Sequence, residues 1–306
     1  MTTHWVKLGL VFSPDGIARH PKLLTHAANP LPLLLGGDVY RVFFSGRDSS
    51  NRSSVGSVDV DIVKRCVVET HFSPVFEHGI PGSFYADGVS IGNCYTVKGK
   101  RYMLFMGWQR PADTHWRGDI GRLQVDSKLN LTLDSSQPFL GVDSTDPISL
   151  SYPWVTDLGN CEFQMWYGST LAWDAGNGEM LHVINQASSR DGHLWTRNGL
   201  AVPYQLGVAQ AFSRPAVVRS AEGALEMWFS YRSGTGKKYR IGYARQRSEG
   251  NWELLLSQSG IDVSETGWDS EMIEYPYVFD HLGSRYMLYN GNGYGKSGFG
   301  LALLDG

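Results

Sequence analysis

The sequence predicts an all-β fold, a five-bladed β-propeller with about four antiparallel strands per blade, formed as a single domain by residues 1–306. Three observations predict it. One block recurs five times, at 40–46 (YRVFFSG), 101–107 (RYMLFMG), 163–169 (FQMWYGS), 225–231 (LEMWFSY) and 285–291 (RYMLYNG), with successive copies about 61 residues apart, so five periods fill the chain. Each copy is short and rich in aromatic, Met and β-branched residues, the composition of a buried strand. Other apolar runs flank every copy at matching places, so the repeating unit holds more than one strand.

The first strand of each unit is a short run that usually opens with Pro: 30–34 (PLPLL), 88–92 (GVSIG), 153–155 (PWV), 215–218 (PAVV) and 276–279 (PYVF). Pro at the first residue of a strand costs no needed ladder bond. The recurring block is the second strand. The third follows at 54–58 (SVGSV), 119–123 (DIGRL), 182–186 (HVINQ), 240–244 (RIGYA) and 298–302 (GFGLA). A more polar fourth strand follows in most units, as at 194–196 (LWT) and 252–256 (WELLL), and Gly, Asn and Asp between the runs supply turns. A β-sandwich does not explain the period, and a solenoid repeat is usually shorter than about 50 residues. Because the chain ends on a third strand, the segment 5–12 (WVKLGLVF) is free to complete the last blade and close the ring.

Composition narrows the function. A formal net charge of −3 with no basic run argues against a nucleic-acid partner, and no apolar stretch approaches a membrane span. The N-terminal apolar run gives way at once to a turn at 13–16 (SPDG), which reads as a strand and turn and not as a secretory signal. The three cysteines are scattered, as expected of reduced thiols in a cytoplasmic protein. The histidines have no metal-ligand spacing, so neither metal nor cofactor is expected, and the chain reads as a monomer. The abundant aromatics serve the core, with sugar stacking as a second use.

In a propeller the innermost strands line a central channel, and their first residues meet at one mouth. Lining up the five openings places His26, Asn29, Asp87, Tyr152, Ser213, Arg214, Glu274 and Tyr275 around one pocket. Two carboxylates across a pocket are what glycosyl transfer needs: a neutral acid protonates the leaving oxygen, and an ionised partner activates water or attacks the anomeric carbon. Asp87 and Glu274 are the candidate pair. Arg214 can hold one of them ionised, and burial among aromatics can raise the pKa of the other. Plainer readings stand beside these: an Asx turn for Asp87, an ion pair for Glu274, an anchor between blades for Arg214. Glu271 and Asp269 are alternative acids. Trp108 and Trp173 are candidate stacking platforms, and Asn290 opens a Gly-rich hairpin (290–295) with Asn292 and Tyr294 at the mouth.

These features resemble the five-bladed propeller glycoside hydrolase superfamily, which includes glycoside hydrolase families 32, 43, 62, 68 and 130. The resemblance spans nearly the whole chain. It rests on the aromatic-Met-Trp-Tyr-Gly/Ser strand followed by Ile-Gly-X-Ala, the turn at 189–195 (SRDGHLW), and 267–270 (GWDS) leading into Glu274-Tyr-Pro276. It implies a carbohydrate substrate and hydrolase, phosphorylase or transglycosidase chemistry. In families 32, 43 and 68 the first blade carries an Asp where this chain has Asn29, a following blade carries an Asp that Asp87 resembles, and the third blade carries the acid Glu where this chain has Tyr152. The matching Glu-X-Pro stands in the fifth unit as Glu274. Asn-Pro in the first unit is nearer to family 130, whose phosphorylases use one Asp acid and let phosphate attack. The resemblance then implies a cationic cradle, for which Arg47, Arg214 and His26 are candidates. A non-catalytic glycan-binding propeller is the alternative. The turn at 189–195 also resembles the Asp box of sialidases, which makes Asp191 a fold element.

Overall fold

The structure, a computed structural model, describes residues 4–15, 20–112, 114–247 and 250–305. Of the turn expected at 13–16, Gly16 lies outside the described residues. Among the described residues the regular secondary structure is nearly all strand, and no helix is long and apolar enough to cross a membrane. The N-terminal strand β1 (Trp5–Phe12) precedes a first group of β2 (Thr25–Gly36), β3 (Val39–Arg47), β4 (Ser53–Asp61) and β5 (Cys66–Phe76). The second group is β6 (Gly88–Val97), β7 (Lys100–Gln109), β8 (Arg117–Val125) and β9 (Leu131–Leu133). The third is β10 (Leu150–Gly159), β11 (Glu162–Ala172), β12 (Leu181–Ser189) and β13 (Thr196–Leu200). The fourth is β14 (Ser213–Arg219), β15 (Leu225–Tyr231), β16 (Arg240–Gln246) and β17 (Trp252–Leu254), and the last is β18 (Glu274–His281), β19 (Ser284–Asn290) and β20 (Phe299–Leu304). Strands pair antiparallel in chain order within each group, and one parallel bridge, Ser53 to Gly88, joins the first group to the second. The first strands touch in sequence, β2 on β6, β6 on β10, β10 on β14 and β14 on β18, and β18 returns to β2.

Burial explains which strands the sequence announced. The recurring blocks are β3, β7, β11, β15 and β19, the second strands, whose central residues are buried on both faces. Outer strands such as β5 and β13 are half exposed and correspondingly polar. β13 begins at Thr196 and not at residue 194, because the preceding residues form a turn around Asp191. Its Oδ1 accepts the N–H groups of His193 and Leu194, each at 2.8 Å, which makes Asp191 a fold element.

The prolines stand two to five residues inside the first strands instead of opening them. In four groups two residues of the first strand face one residue of the second: Asn29-Pro30 opposite Phe44, Tyr152-Pro153 opposite Tyr167, Arg214-Pro215 opposite Phe229, and Tyr275-Pro276 opposite Tyr289. These are β-bulges, where proline's missing N–H breaks no ladder bond. The residue before each proline takes a left-handed φ: 57° at Asn29, 33° at Tyr152, 46° at Arg214 and 52° at Tyr275. For non-glycine residues such backbone costs of order 1–3 kcal/mol each and re-aims the side chain out of the pleat. The same distortion thus recurs at the start of four inner strands.

One of the four side chains acts as a central tie. Arg214 is buried and donates to the Tyr275 carbonyl at 3.1 Å and to the Pro30 carbonyl at 2.8 Å, so it links β14 to both β18 and β2. Of the two roles open to it, the geometry gives the anchor between groups.

Strand β1 completes the last group by pairing antiparallel with β20. Trp5 packs edge-on against Trp228 of the fourth group at 5.4 Å, and Lys7 pairs with Asp269 at 2.8 Å. Removing residues through Phe12 uncovers the whole edge of β20 and strips Trp228 of one of its two ring partners, leaving Tyr243. We expect that truncation to be aggregation-prone and to melt at least about 10 °C lower, since loss of one buried Trp alone costs about 3–5 kcal/mol. Size-exclusion chromatography with a thermal melt checks this, and a monomer of unchanged Tm would refute the closing role of β1.

Candidate active site

The first strands surround a cavity of about 380 Å³ to which every group contributes, within the usual size for a small-ligand site. Three of the four bulge residues, Asn29, Tyr152 and Tyr275, line it, and the Tyr152 and Tyr275 rings meet at 5.3 Å. Ser213, Arg47 and Trp108 line it as well. The wall holds three arginines, Arg47, Arg110 and Arg232, but no Asp or Glu among the described residues. Arg47 donates to Asn51 Oδ1 at 2.8 Å, and Arg232 to Glu179 Oε1 at 2.6 Å. The Arg110 guanidinium lies 5.5 Å from the centre of the Trp108 ring and donates to the Ser50 carbonyl. The wall is therefore aromatic and carries three guanidinium groups, of which Arg232 is paired with Glu179 and Arg110 faces Asp87 at 3.9 Å, a wall that suits a sugar face and an anionic group.

Glu274 lies behind this wall. It stands opposite Asn290, one residue before the Tyr275-Pro276 bulge, and the same register position holds Ala28, Ser151 and Ser213 in other groups. Where three groups carry a small residue, the last carries a carboxyl that is 0% exposed. Neither of its oxygens has a hydrogen-bond partner in the protein. Burial pushes its pKa well above the ordinary carboxylate range, and the opposing pull of Arg47 and Arg232 does not offset this. Its charge would also act on Tyr275 and Tyr239. All four of those residues line the cavity, so Glu274 is a neutral acid set directly behind the wall. A buried, unpaired polar group of this kind calls for a role.

Asp87 lies elsewhere. It precedes β6 at the rim, where Oδ2 accepts the Arg110 N–H at 2.7 Å and the carboxylate faces the Arg110 guanidinium at 3.9 Å. The register explains the offset. Ser90 stands opposite Met106, the sixth residue of its block, as Ser151 stands opposite Gly168 and Glu274 opposite Asn290, so Asp87 falls three residues outside the position of Ser151 and Glu274. The second group's bulge comes later, at Gly92-Asn93, and Ser90 takes the place in the cavity wall.

The remaining candidates divide. His26 lines a second, smaller cavity with Phe12, Leu23 and Phe44. Burial, then Arg47 and Lys296, push its pKa down to about 4, so the ring is neutral. Trp173 lies outside the lining, stacked on His115 at 4.6 Å and edge-on to Trp116 at 5.0 Å, and Trp116 itself lines the cavity. Asn290 is buried and structural: its amide donates to the Ala27 and Gly298 carbonyls and its oxygen accepts the Asn29 N–H. Of its hairpin, Tyr294 faces the cavity, whereas Asn292 accepts the Glu271 N–H at 2.8 Å and donates to the Gly267 carbonyl. Asp269 is engaged by Lys7 and by the Tyr289 hydroxyl, and Glu271 by Lys238, so neither serves as the acid. Arg110, Arg232, Tyr239 and His182 complete the wall without having been singled out in the sequence. A signal for Arg232 existed: it directly follows its recurring block, as Arg47 and Trp108 follow theirs.

One cluster elsewhere has the donor types for a metal: Asp59, Glu69 and His71 bring ligand atoms within 4.8 Å of one another on β4 and β5. Arg41 already holds Asp59 through two bonds of 2.8 and 2.9 Å, which makes this an ion-pair cluster.

No family model matches the chain. The uncharacterized protein Rv1502 of Mycobacterium tuberculosis (strain ATCC 25618 / H37Rv) is 42% identical over 303 residues, which cover 98% of this chain and 99% of that protein. The uncharacterized protein MT1551 of strain CDC 1551 / Oshkosh matches to the same extent. Among solved structures, a glycoside hydrolase superposes with a TM-score of 0.71 at 14% identity, over 99% of this chain and 92% of its own. A glycosyl hydrolase from Bacteroides ovatus gives 0.69 at 11%, over 99% and 94%. A structure from the GH130 family of mannoside phosphorylases, described as containing glycoside hydrolases that target β-1,2 mannosidic linkages in Candida mannan, gives 0.72 at 12%, over 99% and 94%. At such identities the likeness is one of fold. The chain belongs to the same family as Rv1502 of Mycobacterium tuberculosis, and it shares its fold with these glycoside hydrolases.

Proposed function

We propose that the chain is a single-domain, five-bladed β-propeller that cleaves or transfers a glycosidic bond in its central cavity, with Glu274 as the proton donor. The observation that carries this is the neutral, unpaired carboxyl of Glu274 behind a wall of aromatics and arginines. Breaking a glycosidic bond needs a proton on the leaving oxygen, and an acid kept neutral by burial can supply it at neutral pH. Tyr152, Tyr275 and Trp108 offer faces for a sugar ring. Asp87 positions Arg110, which supports a rim role in place of the second half of a carboxylate pair.

Three arginines on a wall with no Asp or Glu among the described residues favour a reacting partner that carries phosphate, either inorganic phosphate or a sugar phosphate. We place the protein in the cytoplasm, a reading supported by its three free cysteines, and take it to act as a monomer. The test is a panel of aryl glycosides, oligosaccharides and sugar 1-phosphates, each with and without inorganic phosphate. Turnover of any member supports the enzyme, and dependence on phosphate assigns phosphorolysis. Binding of sugars with no turnover across the panel would mark a glycan-binding propeller instead.

A further inference from the structure

A second hydrogen-bonded chain reaches the cavity wall from the third group. Ser151 and His182 both line the cavity, and Ser151 Oγ lies 2.6 Å from His182 Nε2. On the other side of the ring Nδ1 lies 2.8 Å from Thr170 Oγ1. The strand opposite is built to let the first pair meet. A Cβ at Gly168 would fall 2.1 Å from Ser151 Oγ and 2.3 Å from His182 Nε2, so only glycine fits between β10 and β12 there. The register adds the decisive point. Ser151 occupies the same position before its bulge as Glu274 does before its own, so the pair and the acid stand at one level of the channel, on first strands that are not neighbours.

We propose that Ser151 and His182 form a proton relay that deprotonates a hydroxyl nucleophile, of water or of an acceptor sugar, as it attacks the anomeric carbon. The inference rests on the glycosyl-transfer reading above. The new bond joins the acceptor oxygen to the anomeric carbon while the bond to the leaving oxygen breaks. The acceptor proton passes to Ser151 Oγ as the Ser151 proton passes to His182 Nε2, and Glu274 gives its proton to the leaving oxygen. Solvent then returns the proton from His182 to Glu274. In the tautomer this requires, Nδ1–H donates to Thr170 and Nε2 is left free to accept. Burial holds the imidazole neutral, with its pKa down to about 4. With no Asp or Glu among the described residues of the cavity wall, this imidazole is the base available there to a hydroxyl nucleophile.

The test uses p-nitrophenyl glycosides, whose leaving group departs without a proton, so that the nucleophile half of the reaction is isolated. Ser151→Ala and His182→Gln are each expected to lower kcat/KM about 100-fold, to leave sugar affinity unchanged, and to regain turnover with sodium azide. Azide is an anionic nucleophile that needs no base. The acid limb of the wild-type profile near pH 4 should vanish in His182→Gln. Free sugar among the products identifies water as the acceptor, and an elongated glycoside identifies a sugar hydroxyl. If both variants keep wild-type rates, or if azide restores neither, the relay is overturned while the glycosyl-transfer reading stands. If the wild type turns over no glycoside at all, that reading falls and the relay with it. Should His182→Gln fail to fold, Ser151→Ala, which removes one oxygen, carries the test.

Discussion

Glu274→Gln is expected to lower turnover of substrates with a poor leaving group by about 10²- to 10⁴-fold while the protein stays folded. The amide is the same size as the acid and has no proton of suitable acidity to give. It should matter least for p-nitrophenyl glycosides, whose leaving group needs no proton, and that contrast separates loss of an acid from loss of a pocket. Stability gives an independent readout. The folded protein holds the Glu274 proton more tightly than the unfolded chain does, because burial raises the pKa. The resulting stability is complete below the ordinary glutamate value and is lost as pH rises through the raised one. The wild type should therefore lose Tm across that window, and Glu274→Gln should not. A variant that keeps full activity on disaccharides and oligosaccharides, or one whose Tm falls with pH as the wild type's does, would remove Glu274 from the mechanism.

The site was legible in the sequence where a local rule set it, and obscure where the register did. The recurring blocks stood out because β3, β7, β11, β15 and β19 are buried on both faces and admit little but large apolar residues. Tyr152, Tyr275, Arg214 and Asn29 could be aligned because each precedes a proline, and the structure gives the reason: each is the first residue of a bulge. The second group has no such proline. The place before Gly88 aligns Asp87 with the others, whereas the ladder puts it three residues toward the rim. A shift of this kind leaves no trace in composition. Nor does the pairing of Ser151 with His182, which are 31 positions apart and meet only because β10 and β12 flank the glycine of β11. The tie made by Arg214 was equally hidden, since its acceptors are backbone carbonyls of two other groups.

Asp146→Ala is expected to cost about 3–5 kcal/mol, the largest stability loss of any single side chain outside the apolar core. Its carboxylate is fully buried and binds one residue after another of the third group: Tyr167 at 2.8 Å and Ser169 at 2.6 Å on β11, Asn185 at 2.8 Å on β12, and Arg197 on β13. Removing it leaves the buried donors of Tyr167, Ser169 and Asn185 without their acceptor, while Arg197 keeps Asp143 at 3.0 Å and the Gly141 carbonyl, so the unsatisfied buried donors account for most of the cost. A fall in Tm of roughly 5–15 °C follows for a protein of this size. Glu162→Gln, which breaks an exposed pair with Arg190 at 3.5 Å, should change little by comparison. The pH dependence runs opposite to that of Glu274. Burial works to raise the Asp146 pKa, but the bonds from Ser169, Arg197 and Tyr167 outweigh it and hold the carboxyl below the ordinary range. That stability is present above the unfolded aspartate value and is lost as pH falls through the depressed one. Wild-type Tm should drop on acidification below about pH 4, and Asp146→Ala should lose that part of the acid limb. The variant should also weaken ligand binding, because the third group that Asp146 ties together presents the Tyr152 ring to the cavity. Asp146→Ala with unchanged Tm would show that the buried donors around it are satisfied without the carboxylate, and the group would then be held by its strands alone.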